Sequence, residues 1–247
     1  MKSFGTLLKI ELKLNIRNMN MVLFAVFMPL VVLAMLGFIY GTKPAADGAA
    51  YTFIEQSFGA LCCISICAGG LMGLPLVVSE YRERKILKRF QVTPASPAKL
   101  LLAEFLIYVL YCIVSMLTLF PAAMLFWNVK MHGAPSLFFG SWLLTMLSTL
   151  SIGLLVGGLA KNTKSASVTA CILYFPMLIF SGTTLPFEVM PAAMQKLVCL
   201  FPLTQGIQLM KAAFLGLPIE NALLPVTVLS AVTVICLGLS VKYFKWE

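Results

Sequence analysis

The chain is poor in charge. Only 11% of its 247 residues are Asp, Glu, Lys or Arg, against 60% apolar residues and a mean hydropathy of +0.97. A soluble domain carries about 25% charged residues to cover its surface, so a soluble globular fold is excluded. There is a single His, His132, and the nine acids form no cluster. That leaves no constellation for hydrolytic or metal chemistry. No Gly-Lys dipeptide occurs, so a phosphate-binding loop of the G-x-x-x-x-G-K-[ST] type is impossible. The seven Cys (62, 63, 67, 112, 171, 199 and 236) include no C-x-x-C pair and fall mostly inside apolar runs. They read as small packing residues, with Cys199 alone placed outside the lipid as a free thiol. No metal and no cofactor is expected in this chain.

What is present is apolar length. Several runs reach the ~20 residues that a spanning helix needs, and helices satisfy every backbone group within the segment. The predicted fold class is an all-α integral membrane protein, a single transmembrane domain over residues 1–247. Six spans are predicted at about residues 21–40, 57–79, 100–127, 137–160, 166–181 and 222–241. The first run is longer than the ~7–15 residues of a signal-peptide core, so it is expected to act as an uncleaved span. Gly69-x-x-x-Gly73 in the second span permits close helix approach. Trp127 and Trp142 flank the turn between the third and fourth spans and are expected at interface depth.

Residues 1–20 carry two periodicities. Lys9, Lys13 and Arg17 recur every four residues, as on one helix face, while 9–17 also alternate as a strand would. A lone strand at a membrane leaves its edges unpaired, which favours an interfacial helix. Region 182–222 is punctuated by Gly182, Pro186, Pro191, Pro202, Gly206, Gly216 and Pro218. Two amphipathic pieces lie between the breaks, about 191–201 and 204–215. Each is too short to cross ~30 Å of hydrocarbon, so two re-entrant half-helices are predicted. A short tail, 242–247, ends the chain.

The net charge of +9 points to anionic headgroups rather than nucleic acid. With six spans, fourteen of the eighteen Lys and Arg fall on the side of the termini and four, Lys43, Lys130, Lys196 and Lys211, on the other. The positive-inside rule then puts both termini in the cytoplasm of a multi-pass cell-membrane protein. Six of the fourteen lie in 80–104, between the second and third spans. There, 81–92 can form about three helical turns with Ile86, Leu87 and Phe90 on one face. Pro94 disfavours helix at Thr93 and stops it. From these residues alone, such a helix either lies on headgroups or docks on a partner.

Glu83-Arg84-Lys85-Ile86-Leu87-Lys88-Arg89-Phe90-Gln91-Val92-Thr93-Pro94-Ala95-Ser96 resembles the loop of type-2 ATP-binding-cassette (ABC) exporter permeases. That loop often reads E-R-(G)-(T)-L-x-x-L-x-x-T-P-x-S. Lys85 stands where the pattern has Gly, Ile86 where it has Thr, and Phe90 replaces a Leu. Phe180-Ser181-Gly182, Pro186, Glu188 and Pro191 are similar to the family's S-G-x-x-x-P-x-x-x-x-P. Phe201-Pro202-Leu203-Thr204 with Lys211 is similar to its N-P-L-T-x-x-x-x-x-x-R.

The resemblance implies a permease subunit that does no ATP chemistry itself. ATP and Mg²⁺ would sit in two copies of a separate ATPase, and a second permease copy, identical or a close paralogue, would complete the pathway. Glu83, Arg84, Ile86, Leu87, Phe90, Thr93 and Pro94 would form the ATPase-coupling helix, with Ile86, Leu87 and Phe90 as apolar anchors. Gly182, Pro186, Glu188, Pro191, Pro202, Thr204 and Lys211 would form an extracellular gate. The pathway would be lined mainly by the second and fifth spans, and its cargo would be hydrophobic or amphipathic: a drug, peptide or lipid-like molecule. Two readings stand beside it, an ion-coupled secondary transporter and an ABC permease for a lipid-linked polysaccharide. The first needs intramembrane acids, and the spans read as almost free of polar groups. Glu104 comes nearest, and is expected to pair with Lys99 or a partner Arg.

Overall fold

Apolar runs of this length become helices because hydrocarbon offers the backbone no other partner. The computed structural model describes residues 2–17, 19–45, 49–90, 97–183, 191–218 and 223–243. Among them are six helices long and apolar enough to cross a membrane: α2 (Leu23–Tyr40), α3 (Phe53–Glu83), α5 (Ala98–Trp127), α6 (Pro135–Leu159), α7 (Thr163–Ser181) and α10 (Leu223–Lys242). Beside them stand α1 (Lys2–Arg17), α4 (Ile86–Phe90), α8 (Ala192–Val198) and α9 (Pro202–Leu215), and a single helical turn, Met19–Val22, leads directly into α2. The described residues contain no strand beyond one isolated bridge, Pro44 to Thr52. The ambiguity at the N-terminus is thus resolved in favour of helix.

α3 is the centre of the bundle. It is enclosed by α2, α5, α6 and α9, with Phe58, Ile66, Leu71 and Leu74 fully buried. Near one end Phe58 meets Phe214 of α9 and Phe138 of α6 at ring-centroid distances of 4.9 and 6.0 Å. Such tilted pairs contribute about 0.5–1.5 kcal/mol beyond their area. Trp142 is buried in this protein core.

The middle of α3 opens into a π-helical turn, Ala68–Gly73, just before Pro75. A wider turn accommodates the ring that would otherwise strike the carbonyl four residues back. A similar turn, Leu23–Phe27, precedes Pro29 in α2. The glycines make the close approaches here. A Cβ on Gly153 of α6 would run into the Gly70 carbonyl, and one on Gly157 would lie 2.9 Å from the Pro75 carbonyl. Gly69 and Gly73 instead receive the ring of Tyr108 from α5. The motif seen in the sequence therefore seats an aromatic side chain rather than a second backbone.

Gly153→Ala should lower the melting temperature of the detergent-solubilised chain, because overpacking costs about 1–3 kcal/mol. Gly140→Ala is the matched control in the same helix. Its Cβ meets nothing within 4 Å, so helix propensity should leave stability unchanged or raised by up to ~1 kcal/mol.

Candidate functional site

The loop between α3 and α5 begins with a helix stop. Arg84 caps α3, its N–H bonding to the Glu80 carbonyl, and Lys85 follows in the left-handed region at φ 56°. Gly is the residue that adopts this conformation freely. Lys85 occupies the position at which the resembled pattern has Gly. The stop divides the predicted three-turn helix in two: Tyr81, Arg82 and Glu83 belong to α3, and α4 starts only at Ile86.

α4 is fastened to the subunit by its apolar side. Leu87 is buried in the protein's own core and Ile86 packs half-buried against it. Leu87 is therefore not an exposed anchor for a partner, as the sequence suggested. Arg84, Lys85 and Lys88 are exposed. Phe90 closes α4, its side chain lies outside the described part, and Thr93 and Pro94 lie outside the described residues.

Two α3 side chains that precede the stop bind neighbouring helix ends. The Arg82 Nη1 donates to the carbonyls of Gly158 at 2.8 Å and Ala160 at 2.5 Å. A guanidinium there satisfies carbonyls left over at the α6 C-terminus and suits its dipole. Glu83 accepts from the backbone N–H of Thr163 at 2.8 Å and from its hydroxyl at 2.6 Å. These are orphan donors at the α7 N-terminus, where Asn162 is the N-cap through Ser165. Glu83 thus faces α7 within the chain. Arg82 carried no sequence signal beyond its charge, since its partners lie 76 and 78 residues away.

The opposite end of α3 is held by Glu55. It completes a capping box with Thr52 and accepts from the Lys130 N–H at 2.8 Å. The His132 ring lies 3.7 Å away. The N–H groups of His132 and Gly133 both reach the Phe214 carbonyl at 3.0 Å, closing the C-terminus of α9.

The sequence-predicted gate residues divide across this end. Gly182 sits in the π-helical turn Ile179–Thr183 that finishes α7. Pro191 is the N-cap of α8, and Pro202 begins α9. Thr204 is fully buried, and its hydroxyl has no hydrogen-bond partner. Lys211 lies on α9, half-buried. Pro186 and Glu188 lie outside the described residues. Between α7 and α8 is an apolar cavity of about 250 Å³ lined by Pro176, Phe180, Met194, Leu197, Val198 and Phe201.

Glu104 departs furthest from expectation. It pairs with neither Lys99 nor any described Arg. It is fully buried and accepts from the Asn15 Nδ2 at 3.2 Å and the Tyr81 hydroxyl at 2.9 Å. The spans are also less apolar than they read, since Ser65, Tyr108, Tyr111, Ser115 and Ser148 all bury hydroxyls without a partner. Among the described residues no group of three or more His, Cys, Asp or Glu could hold a metal ion.

Six apolar spans, a short basic-flanked helix at one end and two sub-span helices before the last span define a helical multi-pass membrane protein. The chain belongs to the ABC-2 type transporter family, whose profile matches residues 2–215. It is 26% identical to the probable multidrug ABC transporter permease YbhS of Escherichia coli over 181 residues, 72% of this chain and 46% of that protein. It is 25% identical to the inner membrane transport permease YhhJ of E. coli over 150 residues, 60% of this chain and 40% of that one. With Nodulation protein J of Rhizobium leguminosarum it shares 33% identity over 86 residues, 35% of this chain and 33% of that one. The matches span less than half the length of each of these relatives.

Arg82→Ala should destabilise the folded chain by about 1.5–3 kcal/mol, the range for hydrogen bonds to a charged group. Arg84→Ala removes only an exposed pair with Glu80 and should stay within about 0.5 kcal/mol. Thermal melts of the two variants in one detergent make the comparison.

Proposed function

We propose that this chain is the permease subunit of an ABC exporter, with two copies forming the pathway and two ATPase subunits docked at the α4 end. The observation that carries this reading is the mounting of α4. A short helix is fixed to the subunit through Leu87 while Arg84, Lys85 and Lys88 face outward. That combination suits transmission: the buried side is rigid, and the charged side gives a partner orientation and on-rate. ATP hydrolysis belongs to the partner, as this chain has no phosphate loop.

The cargo is hydrophobic or amphipathic. Support comes from the apolar cavity between α7 and α8 and from the multidrug description of the relative YbhS. α7 supplies the pathway-facing surface, with Val168, Ile172, Phe175 and Ile179 exposed along one side. α3, largely enclosed within the subunit, contributes less than its position in the sequence suggests. α8 and α9, at about 10 and 21 Å, are short of a full span, which favours re-entrant pieces that cap the outer end. The buried acid Glu104 is the one observation that favours an ion-coupled carrier. It lies near the α4 end of α5 rather than at the midplane, where carriers place their ion sites.

Reversing the exposed charges together, Arg84→Glu, Lys85→Glu and Lys88→Glu, should weaken capture of the ATPase by about tenfold or more at low salt, with the melting temperature of the permease unchanged. Retention of wild-type capture would refute docking at α4. Topology is tested separately. A membrane-impermeant thiol reagent should label Lys43→Cys and Lys130→Cys in intact cells, and Lys88→Cys only after lysis. The reverse pattern would place the α4 end outside.

A further inference from the structure

Three helices meet at a polar cluster below the core. α1 turns Leu7, Glu11 and Asn15 inward, one per turn, against α5. Glu11 is 7% exposed, Asn15 8% and Glu104 0%. Between the two acids stands Tyr81, whose hydroxyl lies 2.9 Å from the Glu11 Oε2 and 2.9 Å from the Glu104 Oε1. Asn15 donates to Glu104 and to the Glu11 carbonyl.

Counting protons shows a deficit. The Tyr81 hydroxyl has one proton and can donate to only one of the two carboxylates. The other 2.9 Å contact is then an oxygen facing an oxygen, unless the second carboxyl carries a proton and donates it to the Tyr81 oxygen. No described Lys or Arg forms an ion pair with either acid. Lys9, Lys13 and Arg17 of α1 and Lys99 of α5 are exposed, Arg82 binds the α6 terminus, and Glu80 pairs with Arg84. Among the described residues, the titratable groups that face the cluster are Glu11, Tyr81, Glu104 and, one and two turns along α5, Tyr108 and Tyr111.

Tyr108 supplies an independent sign of a ligand. It is fully buried, and its hydroxyl has no partner. Its ring packs with Cδ1 at Gly69 and Cζ at Gly73, so it runs along α3 in the direction of Tyr81. Helical side chains also lean toward the N-terminus of their helix, here toward Glu104. The hydroxyl is therefore aimed at the cluster. Tyr111 and Ser115, with buried unpartnered hydroxyls, continue the stripe along α5.

We propose that Glu11, Tyr81 and Glu104 form a proton-binding site that fastens α1 to α3 and α5. In the bound state one carboxyl O–H donates to the Tyr81 oxygen and the Tyr81 O–H donates to the other carboxylate, leaving one negative charge. Loss of the proton to water leaves two carboxylates around one hydroxyl, a buried like-charge pair that drives α1 off. Tyr108 is the next acceptor and donor inward.

The full chain in nanodiscs tests this by infrared spectroscopy. The carbonyl stretch of a buried protonated carboxylic acid should be present at neutral pH and vanish at alkaline pH. It should be absent at neutral pH in both Glu104→Gln and Glu11→Gln, since either leaves a single acid. Trypsin cleavage after Lys13 and Arg17 supplies the second readout. Corrected for protease activity, it should rise by up to about tenfold per pH unit below the midpoint of that transition and level off above it in the wild type, and stay flat in the Gln variants. Either variant suffices if the other fails to fold. Absence of the band in the wild type at neutral pH would overturn the proposal. So would a band that appears only when sodium is replaced by choline, which would make the cluster a monovalent-cation site.

Discussion

Polar groups at the two ends of α3 hold this bundle in register. Hydrocarbon cannot satisfy a helix terminus, so each terminus near the membrane must find a donor or acceptor within the protein. α3 supplies several of them. Glu55 closes its own first turn and the Lys130 N–H, Arg82 closes α6, and Glu83 closes α7. Because apolar packing in lipid has no water to exclude, these directional bonds and the small-residue contacts at Gly70, Gly153 and Gly157 fix where the helices stand.

The same geometry separates two roles that the charged loop seemed to combine. Its first half, through Glu83, is structural and internal. Its second half begins beyond the left-handed Lys85 and presents charge outward from a buried Leu87. A Gly at Lys85 would avoid the roughly 1–2 kcal/mol that the left-handed region costs an L side chain, so the lysine is held there by what surrounds it.

Much of the fold was legible because hydropathy is a local property. The six spans fall within three residues of their expected bounds apart from α3, which is four residues longer at each end: it begins at Phe53 because Thr52 and Glu55 cap it, and it runs on to Glu83. The short helices of 191–215 were marked by Pro191, Pro202 and Gly216, whose backbone preferences also act locally. What failed was long-range pairing. Glu104 meets Asn15, 89 residues away, and Arg82 meets Gly158, 76 residues away. Neither spacing leaves a periodic trace. Tyr81 reads as part of the loop helix because nothing local marks a stop after Arg84, the pattern's Gly being replaced there by Lys85. The scarcity of polar groups in the spans was overstated for a similar reason. Single Ser, Thr and Tyr residues in apolar runs look incidental until several share one face.

The bracing around Arg82 and Glu83 also has a mechanical meaning. α4 is joined to α3 by a two-residue stop, and within four residues of that stop α3 is bonded to the ends of α6 and α7. A displacement at α4 cannot load α3 alone. It is shared at once by three helices whose ends are clamped together, so this corner of the subunit behaves as a rigid bracket, and its compliance lies further along the spans, at the π-helical turns Ala68–Gly73 and Ile179–Thr183.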